Sequence, residues 1–473
     1  MKGIMVILLS LAVVFAASAG GKSEGAPSGA AKASGSVRAL STVTGGKTDE
    51  ENKLFEAALK KATGLDIVWE MVRSGYDQVL LQKLGAGEAY DLVYMTQFMM
   101  YTLANQGTLA DLTDRIAKSK TYQDNVPAAE LEKIALNGKY YAGFNKQEVF
   151  PLPNVNKAIT DMAGIDVAKL ETLADYRAML VKVKGYMEGT VGKKPYYPFF
   201  TYMPDIWDLQ PWFSAAGVRR GVFTGSDGKK TAPYLDPRAQ QVWEWLAGLY
   251  KDGLMDPASF TGKTGDMRAK MWQSQDIVLD VDWAAWTGLY NNNANLAGTY
   301  PKTVNVIGLP GVRGPDGKFL LEQGGASLWA IPKNAKNPGG AFAVIEYLAT
   351  KEGGLLLTAG IEGNDYNMKD GKLALTEEGT KHARDHGAPF PISKNFDSAI
   401  LGPMPFGVLE SVAIGRRPDV SVAPMGYADG ALDARAYYDV MSKWMTECIM
   451  GRRPASEAMK GAADELRAKK IID

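Results

Sequence analysis

The apolar residues repeat with two different periods along the chain. Residues 37–43, 65–71 and 91–95 alternate between apolar and polar positions as β-strands do. Residues 49–63 and 76–84, which lie between them, place their apolar positions on one face of a helix. A β-α-β-α-β order is typical of a parallel, doubly wound sheet, so this pattern predicts an α/β fold.

The same alternation continues to the end of the chain. Further strands are predicted at residues 140–144, 150–155, 277–281 and 326–331, and further helices within 173–250 and at 340–350, 434–450 and 455–469. Asn145 and Lys146 are predicted to connect the first two of these strands. No linker separates two sequential domains. We therefore expect two lobes between which the chain passes several times.

The first residues have the pattern of a secretory signal peptide. Lys2 precedes an apolar run over residues 4–17, and Ala17 and Ala19 form a small-residue cleavage site. The run is shorter than the ~20 residues of a spanning helix, which makes an uncleaved anchor the weaker alternative. Residues 1–19 are therefore predicted to be a cleaved signal. Residues 20–36 contain few apolar residues and are predicted to be a flexible linker.

Composition and charge narrow the function classes. The chain has 473 residues, of which 46% are hydrophobic, and this length exceeds what one hydrophobic core serves. Its 53 basic and 53 acidic residues give a net charge of zero, whereas a nucleic-acid binder needs a basic surface. The single cysteine, Cys448, excludes an internal disulfide and lies far from the position of a lipid-bearing cysteine. We expect a protein secreted to the periplasm or the outside of the cell, with no lipid anchor.

Few residues offer metal or nucleophilic chemistry. His382 and His386 have the helical spacing that can hold zinc, but Ala383 stands where a zinc protease has Glu, and no third ligand is evident. Cys448 shares a helical stripe with Met441, which is typical of a buried thiol. The sequence predicts no catalytic residue, no metal site and no cofactor.

Tryptophan is the most informative residue type. Eight of the ten tryptophans lie between Trp207 and Trp329. Asp282, Trp283 and Trp286 follow the strand predicted at 277–281, at the carboxyl end where open α/β sheets bind their ligands. Indole rings can stack on the apolar faces of sugars, and a carboxylate can accept hydrogen bonds from sugar hydroxyls. These residues are predicted to bind a carbohydrate, with core packing as the alternative.

Other candidate ligand residues follow from the same placement. Trp212 offers a further ring, although core packing would explain it equally well. Tyr94 and Gln97 lie at the carboxyl end of the strand predicted at 91–95. Asn145 lies where the chain first leaves the N-terminal block, so it lines a cleft or forms part of a hinge.

Several segments together carry a resemblance to a known family. Their order along the chain is GAGEAYDLVY (85–94), GKYYAGF (138–144), GLMDP (253–257), LPGVRGPDGK (309–318), WAIPKN (329–334) and GIEGNDYNMKDGK (360–372). With this order and spacing, the sequence resembles the extracellular solute-binding proteins of ABC importers, in their carbohydrate-binding branch. Glu362 and Tyr366 lie in the most specific of these segments and complete the predicted ligand set.

The resemblance implies a periplasmic-binding-protein-like fold of type II. Two doubly wound lobes would close on a ligand in the cleft between them, and the closed form would be presented to a membrane permease. The implied N-terminal lobe comprises residues 37–147 and 323–380, and the C-terminal lobe comprises residues 148–322 and 381–473. The protein is expected to be a monomer that binds no nucleic acid.

Two departures from the family pattern are visible. The lipid-bearing cysteine of many relatives is absent. Residues 184–195 correspond to a loop that binds calcium in several relatives, but here they offer the single carboxylate of Glu188 beside Lys184, Lys193 and Lys194. Calcium requires several oxygen ligands, so no calcium is expected at this loop.

Three functions remain open from the sequence. The first is the substrate-binding component of an ABC sugar importer, which captures a mono- or oligosaccharide by hinge closure and breaks no bond. The second is a secreted glycosidase, in which Asp280 and Asp282, on the same face of a strand, would be the carboxylate pair. The third keeps the binding fold but changes the ligand to a peptide or another solute.

Overall fold

The structure is a computed structural model of the whole chain. It describes residues 35–42, 48–73, 75–147, 149–204, 206–297, 305–381, 392–402, 406–424, 426 and 434–473. The predicted signal peptide, almost all of the predicted linker, and His382 and His386 lie outside these residues.

Strands and helices alternate along the described chain, as the apolar pattern predicts. The strands are β1 (Ser36–Thr42), β2 (Asp66–Val72), β3 (Leu92–Thr96), β4 (Ala142–Gln147), β5 (Pro151–Asn156), β6 (Phe223–Thr224), β7 (Lys230–Thr231), β8 (Leu279–Trp283), β9 (Val306–Gly308), β10 (Phe319–Glu322), β11 (Ala326–Ala330), β12 (Tyr366–Lys369), β13 (Lys372–Leu375) and β14 (Val420–Ala423). The helices are α1 (Asp49–Thr63), α2 (Tyr76–Gly85), α3 (Gln97–Asn105), α4 (Thr113–Lys118), α5 (Lys120–Asn125), α6 (Ala128–Leu131), α7 (Lys157–Met162), α8 (Leu173–Tyr186), α9 (Gln210–Phe213), α10 (Gln240–Lys251), α11 (Thr264–Ala269), α12 (Trp286–Ala297), α13 (Pro338–Leu348), α14 (Lys351–Ala359), α15 (Glu377–Lys381), α16 (Val408–Ala413), α17 (Ala434–Ile449) and α18 (Ala455–Ala468).

The first helix shows why local sequence fixes these boundaries. Thr48 caps α1, and its side chain and that of Glu51 exchange hydrogen bonds with each other's backbone in a capping box. Gly64 ends the helix in the left-handed conformation, with φ at 77°, which suits a residue without a Cβ. The helix has the bounds predicted from its apolar pattern.

A five-stranded sheet forms the N-terminal half of the architecture. Its strand order is β2-β1-β3-β11-β4. β1 is parallel to β2 and β3, which confirms the predicted βαβ units, whereas β11 is antiparallel to both β3 and β4. No helix connects β11 to the strand before it, β10. β11 therefore does not belong to a βαβ unit, and it need not be parallel to its neighbours.

A second sheet differs from the parallel arrangement expected for it. Its order is β8-β5-β9, and β5 is antiparallel to both neighbours. β5 follows β4 after only a few residues, so no crossover helix sets its direction. Parallel pairing does occur at Phe199, which bridges to Leu279 of β8 and to Met255.

Two passages between these sheets lie within the described residues. The chain leaves the first sheet after Gln147 and enters the second at Pro151, and after β10 it re-enters the first sheet at Ala326. Asn145 and Lys146, predicted to form the connection, belong instead to β4, where Lys146 pairs with Ser327 of β11. The ladder with β11 extends β4 beyond the end that its own apolar pattern indicates.

The described residues contain two large hydrophobic cores. One surrounds the five-stranded sheet and includes Leu40, Leu92, Phe144 and Ile345. The other packs helices α8, α10, α17 and α18 around β5 and β8, with Trp243 at zero exposure. By its internal contacts, residues 33–473 form one compact unit.

A buried ion pair lies where the chain returns to the first sheet. The guanidinium of Arg220 lies 2.7 Å from the carboxylate of Glu322, the last residue of β10, and both side chains are at most 5% exposed. Gln210 accepts a hydrogen bond from the backbone N–H of Arg220 at 2.9 Å and fixes this segment further. A buried charge that loses its partner lowers the stability of the fold. This pair therefore holds the end of β10, where the chain returns, against the second core.

We expect Glu322→Gln to lower the free energy of unfolding by about 3–5 kcal/mol, because it leaves the Arg220 cation buried without an anion. Chemical denaturation measures this change. Asp464→Asn is the matched control, since it breaks an exposed ion pair with Lys460 and should leave the unfolding midpoint unchanged. Equal effects of the two substitutions would contradict the burial argument.

Candidate functional site

Two stacked tryptophans lie at the end of β8. They lie beside the segment between β4 and β5 that takes the chain from the first sheet to the second, here called the outgoing crossover. The rings of Trp207 and Trp283 have centroids 5.1 Å apart and planes inclined by 27°. Both side chains are half-buried, so part of each remains accessible. Trp283 is paired with Pro151, the first residue after the crossover. The stack therefore presents aromatic surface where the chain passes between the two sheets.

Trp286 lies shortly after Trp283 in the sequence and is the first residue of α12. The guanidinium of Arg268, from α11, lies 3.7 Å from the centroid of its ring. This cation–π contact covers one face of the indole, and the whole residue is only 8% exposed. Trp286 thus contributes mainly by holding Arg268, whose side chain keeps 21% of its surface exposed.

The carboxylate of Asp282 lies among donors from three other residues. Its carboxylate accepts two hydrogen bonds from Arg268, at 2.7 and 3.1 Å, one from the backbone N–H of Trp283 at 2.8 Å, and a contact of 3.0 Å from the hydroxyl of Tyr290. Four acceptor positions are all that a carboxylate has. Asp282 therefore holds Arg268 in place and has no capacity left for a sugar hydroxyl.

A second polar and aromatic group lies on the five-stranded sheet. The Trp329 indole N–H donates to the side-chain oxygen of Asn145 at 3.3 Å, and the Asn145 amide donates to the Ser327 hydroxyl at 3.1 Å. Tyr94 packs edge-on against Trp329, with ring centroids 5.5 Å apart. Tyr94 and Asn145 are both half-buried, so each keeps part of its surface accessible beside these contacts.

Gln97 is a structural residue in this arrangement. Its side-chain amide donates to the backbone carbonyl of Lys133 at 2.7 Å and to the hydroxyl of Tyr101 at 2.8 Å. Its oxygen accepts the backbone N–H of Ala326 at 3.1 Å. Gln97 is 5% exposed and connects α3 to the first residue of β11, next to the returning crossover.

Trp212 lies in the second core. It has no exposed surface, and its ring packs against those of Tyr176, Phe199 and Trp245 at centroid distances of 4.9, 5.7 and 5.2 Å. The structure therefore places Trp212 where it offers no face to a ligand. Local sequence does not separate this tryptophan from Trp207, because the two lie in the same short stretch of chain.

Glu362 and Tyr366 belong to a small separate cluster. Tyr366, the first residue of β12, is 6% exposed and packs with Leu373 and Leu401. Glu362 is exposed and forms a backbone bridge with Tyr366. Burial, followed by the nearby negative charge of Glu362, raises the pKa of the Tyr366 phenol.

Aromatic residues also connect the two cores directly. Phe98, next to Gln97 on α3, lies against Tyr438 of α17 with ring centroids 5.8 Å apart. The buried guanidinium of Arg220 lies 5.2 Å from the centroid of the same tyrosine ring. Sequence reasoning missed Phe98, Tyr438 and Arg268, since their partners lie on other helices and strands.

Residues 184–195 are held together by Lys184. The ammonium of Lys184 lies 2.7 Å from the carboxylate of Glu188, and that carboxylate also accepts the backbone N–H of Tyr196 at 3.0 Å. The hydrogen bond from Lys184 lowers the pKa of Glu188. Within the part of the chain that the structure describes, no three His, Cys, Asp or Glu side chains are grouped as metal ligands.

The sequence profile of the family described as bacterial extracellular solute-binding protein matches residues 44–355, which is more than half of the chain. The chain belongs to this family. A comparison with curated proteins finds no match. None of the helices that the structure describes has both the length and the apolar character that a membrane span needs.

Solved structures with the same fold align with nearly the whole of this solute-binding protein. T. maritima MalE3 with bound maltose superposes with a TM-score of 0.66 at 16% identity, covering 92% of this chain and 99% of that one. An ABC substrate-binding protein from Listeria monocytogenes in complex with cycloalternan gives 0.64 at 12% identity, with the same coverage. The binding protein of B. animalis subsp. lactis in complex with β-1,6-galactobiose gives 0.61 at 20% identity, covering 92% and 96%. These likenesses confirm the predicted fold class.

We expect Cys448 of this solute-binding protein to be unreactive in the native state. The residue is 2% exposed, and burial raises the pKa of its thiol to about 11. A thiol reagent at pH 8 should label the denatured protein once and the native protein at a negligible rate, because the thiolate is the reactive form. Rapid labelling of the native protein would show that the helix carrying Cys448 opens readily.

Proposed function

We propose that this protein is the carbohydrate-binding component of an ABC importer. The observation that carries the proposal is the half-exposed stack of Trp207 and Trp283 beside the outgoing crossover. Flat indole surface suits the apolar faces of pyranose rings. The sugars bound in the similar structures, among them maltose and β-1,6-galactobiose, support the same ligand class.

The proposed site has two sides. On the side of the second core, Trp283 and Trp207 supply stacking surface, and Trp286 supports the Arg268 guanidinium as a hydrogen-bond donor. On the side of the five-stranded sheet, Tyr94 and Asn145 supply a ring edge and an amide. Trp212, Gln97 and Asp282 support this arrangement from within the protein. Glu362 and Tyr366 stay a prediction from the family resemblance.

The two sides belong to the two proposed lobes, residues 37–147 with 323–380 and residues 148–322 with 381–473. Each lobe would carry one of the two large cores, and the crossings near residues 145–149 and 321–325, with a further return after Lys372, would form the hinge. Closure would bury the sugar between the lobes, and the closed population would increase only as far as the ligand prefers it. The exported monomer would then deliver the sugar to a membrane permease.

The burial of the acidic pair supports binding without turnover. A glycosidase needs two carboxyl groups that reach the scissile bond from the cleft. Asp280 and Asp282 have no exposed surface, and Asp282 is fully occupied by Arg268 and its other donors. Incubation with oligosaccharides followed by product analysis tests this point, and release of shorter sugars would favour the enzyme.

A thermal-shift screen tests the proposed ligand class. Neutral mono- and oligosaccharides, uronates and short peptides are added in turn to the mature protein. A tight ligand raises the unfolding midpoint by mass action. We expect a neutral sugar to give the largest shift. A shift with peptides alone would replace the carbohydrate proposal by the peptide alternative.

We expect Trp283→Ala to weaken binding of the stabilising sugar by about 1–3 kcal/mol, because it removes one ring of the accessible stack. Isothermal titration calorimetry measures the change. Trp444→Ala is the matched control: Trp444 is also half-buried, but it packs between α17 and α18 against Gly461. Equal affinities of the wild-type protein and Trp283→Ala would remove Trp283 from the site.

A further inference from the structure

A continuous chain of polar contacts lies behind Trp286. The hydroxyl of Tyr290 lies 2.8 Å from a carboxyl oxygen of Asp280 and 3.0 Å from one of Asp282. Asp282 in turn is bound by both Nε and a terminal nitrogen of Arg268. Asp280, Asp282 and Tyr290 have no exposed surface, so water cannot replace a missing partner from outside.

The contacts at Tyr290 restrict how protons can be arranged in this chain. Two hydrogen-bond contacts meet at the oxygen of Tyr290, but its hydroxyl carries only one proton. Asp282 is held as the carboxylate, because it accepts two donors from a guanidinium and a backbone N–H. Both contacts at Tyr290 can be hydrogen bonds only if Tyr290 donates its proton to one carboxyl group and accepts a proton from the other. Asp280, which has no guanidinium partner among the described residues, is the group suited to carry that second proton.

The surroundings of Asp280 also disfavour its charge. Within the described residues, its second carboxyl oxygen, Oδ1, meets no donor at full hydrogen-bonding geometry, and the weaker approach of the Asn154 amide offsets only part of the cost of burying a charge there. Among those residues, the titratable groups that face it are Asp282 on its own strand, Tyr290 of α12 and Arg268 of α11, and the uncharged Asn154 faces it from β5. Burial first, and then the negative charge of Asp282, raise the pKa of Asp280 well above its ordinary value.

We propose that Asp280 is a positioning residue that stays a neutral carboxylic acid and, through Tyr290, holds the Asp282–Arg268 pair against Trp286. With Asp280 neutral, the cluster has one positive and one negative charge and no net charge. This balance favours an uncharged sugar at Arg268 over a uronate. The ligand part rests on the proposed function, whereas the protonation state of Asp280 does not.

The pH dependence of unfolding tests the protonation state without a ligand. An aspartate in the unfolded chain ionises near pH ~4, so folding takes up one proton at Asp280 above that pH. Relative to Asp280→Asn, the unfolding constant of the wild-type protein should therefore increase about tenfold per pH unit up to the pKa of Asp280 in the folded protein. A ratio that does not change between pH 5 and pH 7 would overturn the proposal.

A second measurement on the wild-type protein applies even if Asp280→Asn fails to fold. With ¹³C-labelled aspartate, one carboxyl resonance should keep the chemical shift of the protonated acid at pH 7. The absence of any protonated aspartate at this pH would overturn the proposal.

Binding of the sugar identified by the screen tests the positioning role. Asp280→Ala leaves Tyr290 without its donor and should lower the affinity about tenfold, the equivalent of one unmade hydrogen bond. Asp280→Asn keeps an N–H donor and should restore most of this loss at pH 7. It should also remove the decrease in wild-type affinity that we expect at alkaline pH. Equal losses for Ala and Asn, with no pH dependence in either, would overturn the positioning role. If no sugar binds any variant, the proposed function fails while the proton measurements still decide the state of Asp280.

Discussion

The pairing of β4 with β11 is the constraint on which the rest of the architecture depends. Gln147, the last residue of β4, lies opposite Ala326, the first residue of β11. Gln147 is the last residue before the chain leaves this sheet, and Ala326 is the first residue after it returns. The outgoing and returning crossings therefore lie side by side. The hydrogen bonds of a single ladder thus hold these two crossings together, and the same few residues would serve as part of the proposed hinge.

The candidate site follows from this placement. Pro151 begins β5 directly after the outgoing crossing, and its partner in β8 is Trp283. Gln97 binds the backbone of Ala326 at the returning crossing, and Phe98 beside it contacts the second core. The end of β8 thus lies beside one crossing and the end of β3 beside the other, each with aromatic side chains. A ligand held there would contact both cores, which is the geometry that hinge closure requires.

Local sequence predicted the elements whose ends carry their own signals. The capping box of Thr48 and the left-handed Gly64 specify α1 without help from the rest of the chain. Asn145 was misplaced because its strand is extended by β11, which lies nearly two hundred residues away along the chain. The family resemblance supplied the fold class, which apolar periodicity alone left as a general α/β arrangement.

The site was predicted less completely than the fold, for a physical reason. The sequence identifies Trp283 and Asp282 as neighbours at the end of a strand, but the roles of these residues depend on partners from other elements. Arg268 on α11 donates two of the four contacts that Asp282 receives, and Trp207 stacks on Trp283. Trp212 shows the converse, since an indole five residues from Trp207 is fully enclosed by the core. Burial is a property of the assembled chain and leaves little trace in short segments.

Hydrogen–deuterium exchange with mass spectrometry, with and without the most stabilising sugar, tests the central claim most directly. The account predicts slower exchange in two sets of peptides, one covering residues 283–290 and one covering residues 94–101 and 142–147. Protection in both sets would mean that the sugar lies between the two cores, beside the crossings. Protection confined to one set, or strongest elsewhere in the chain, would contradict the account.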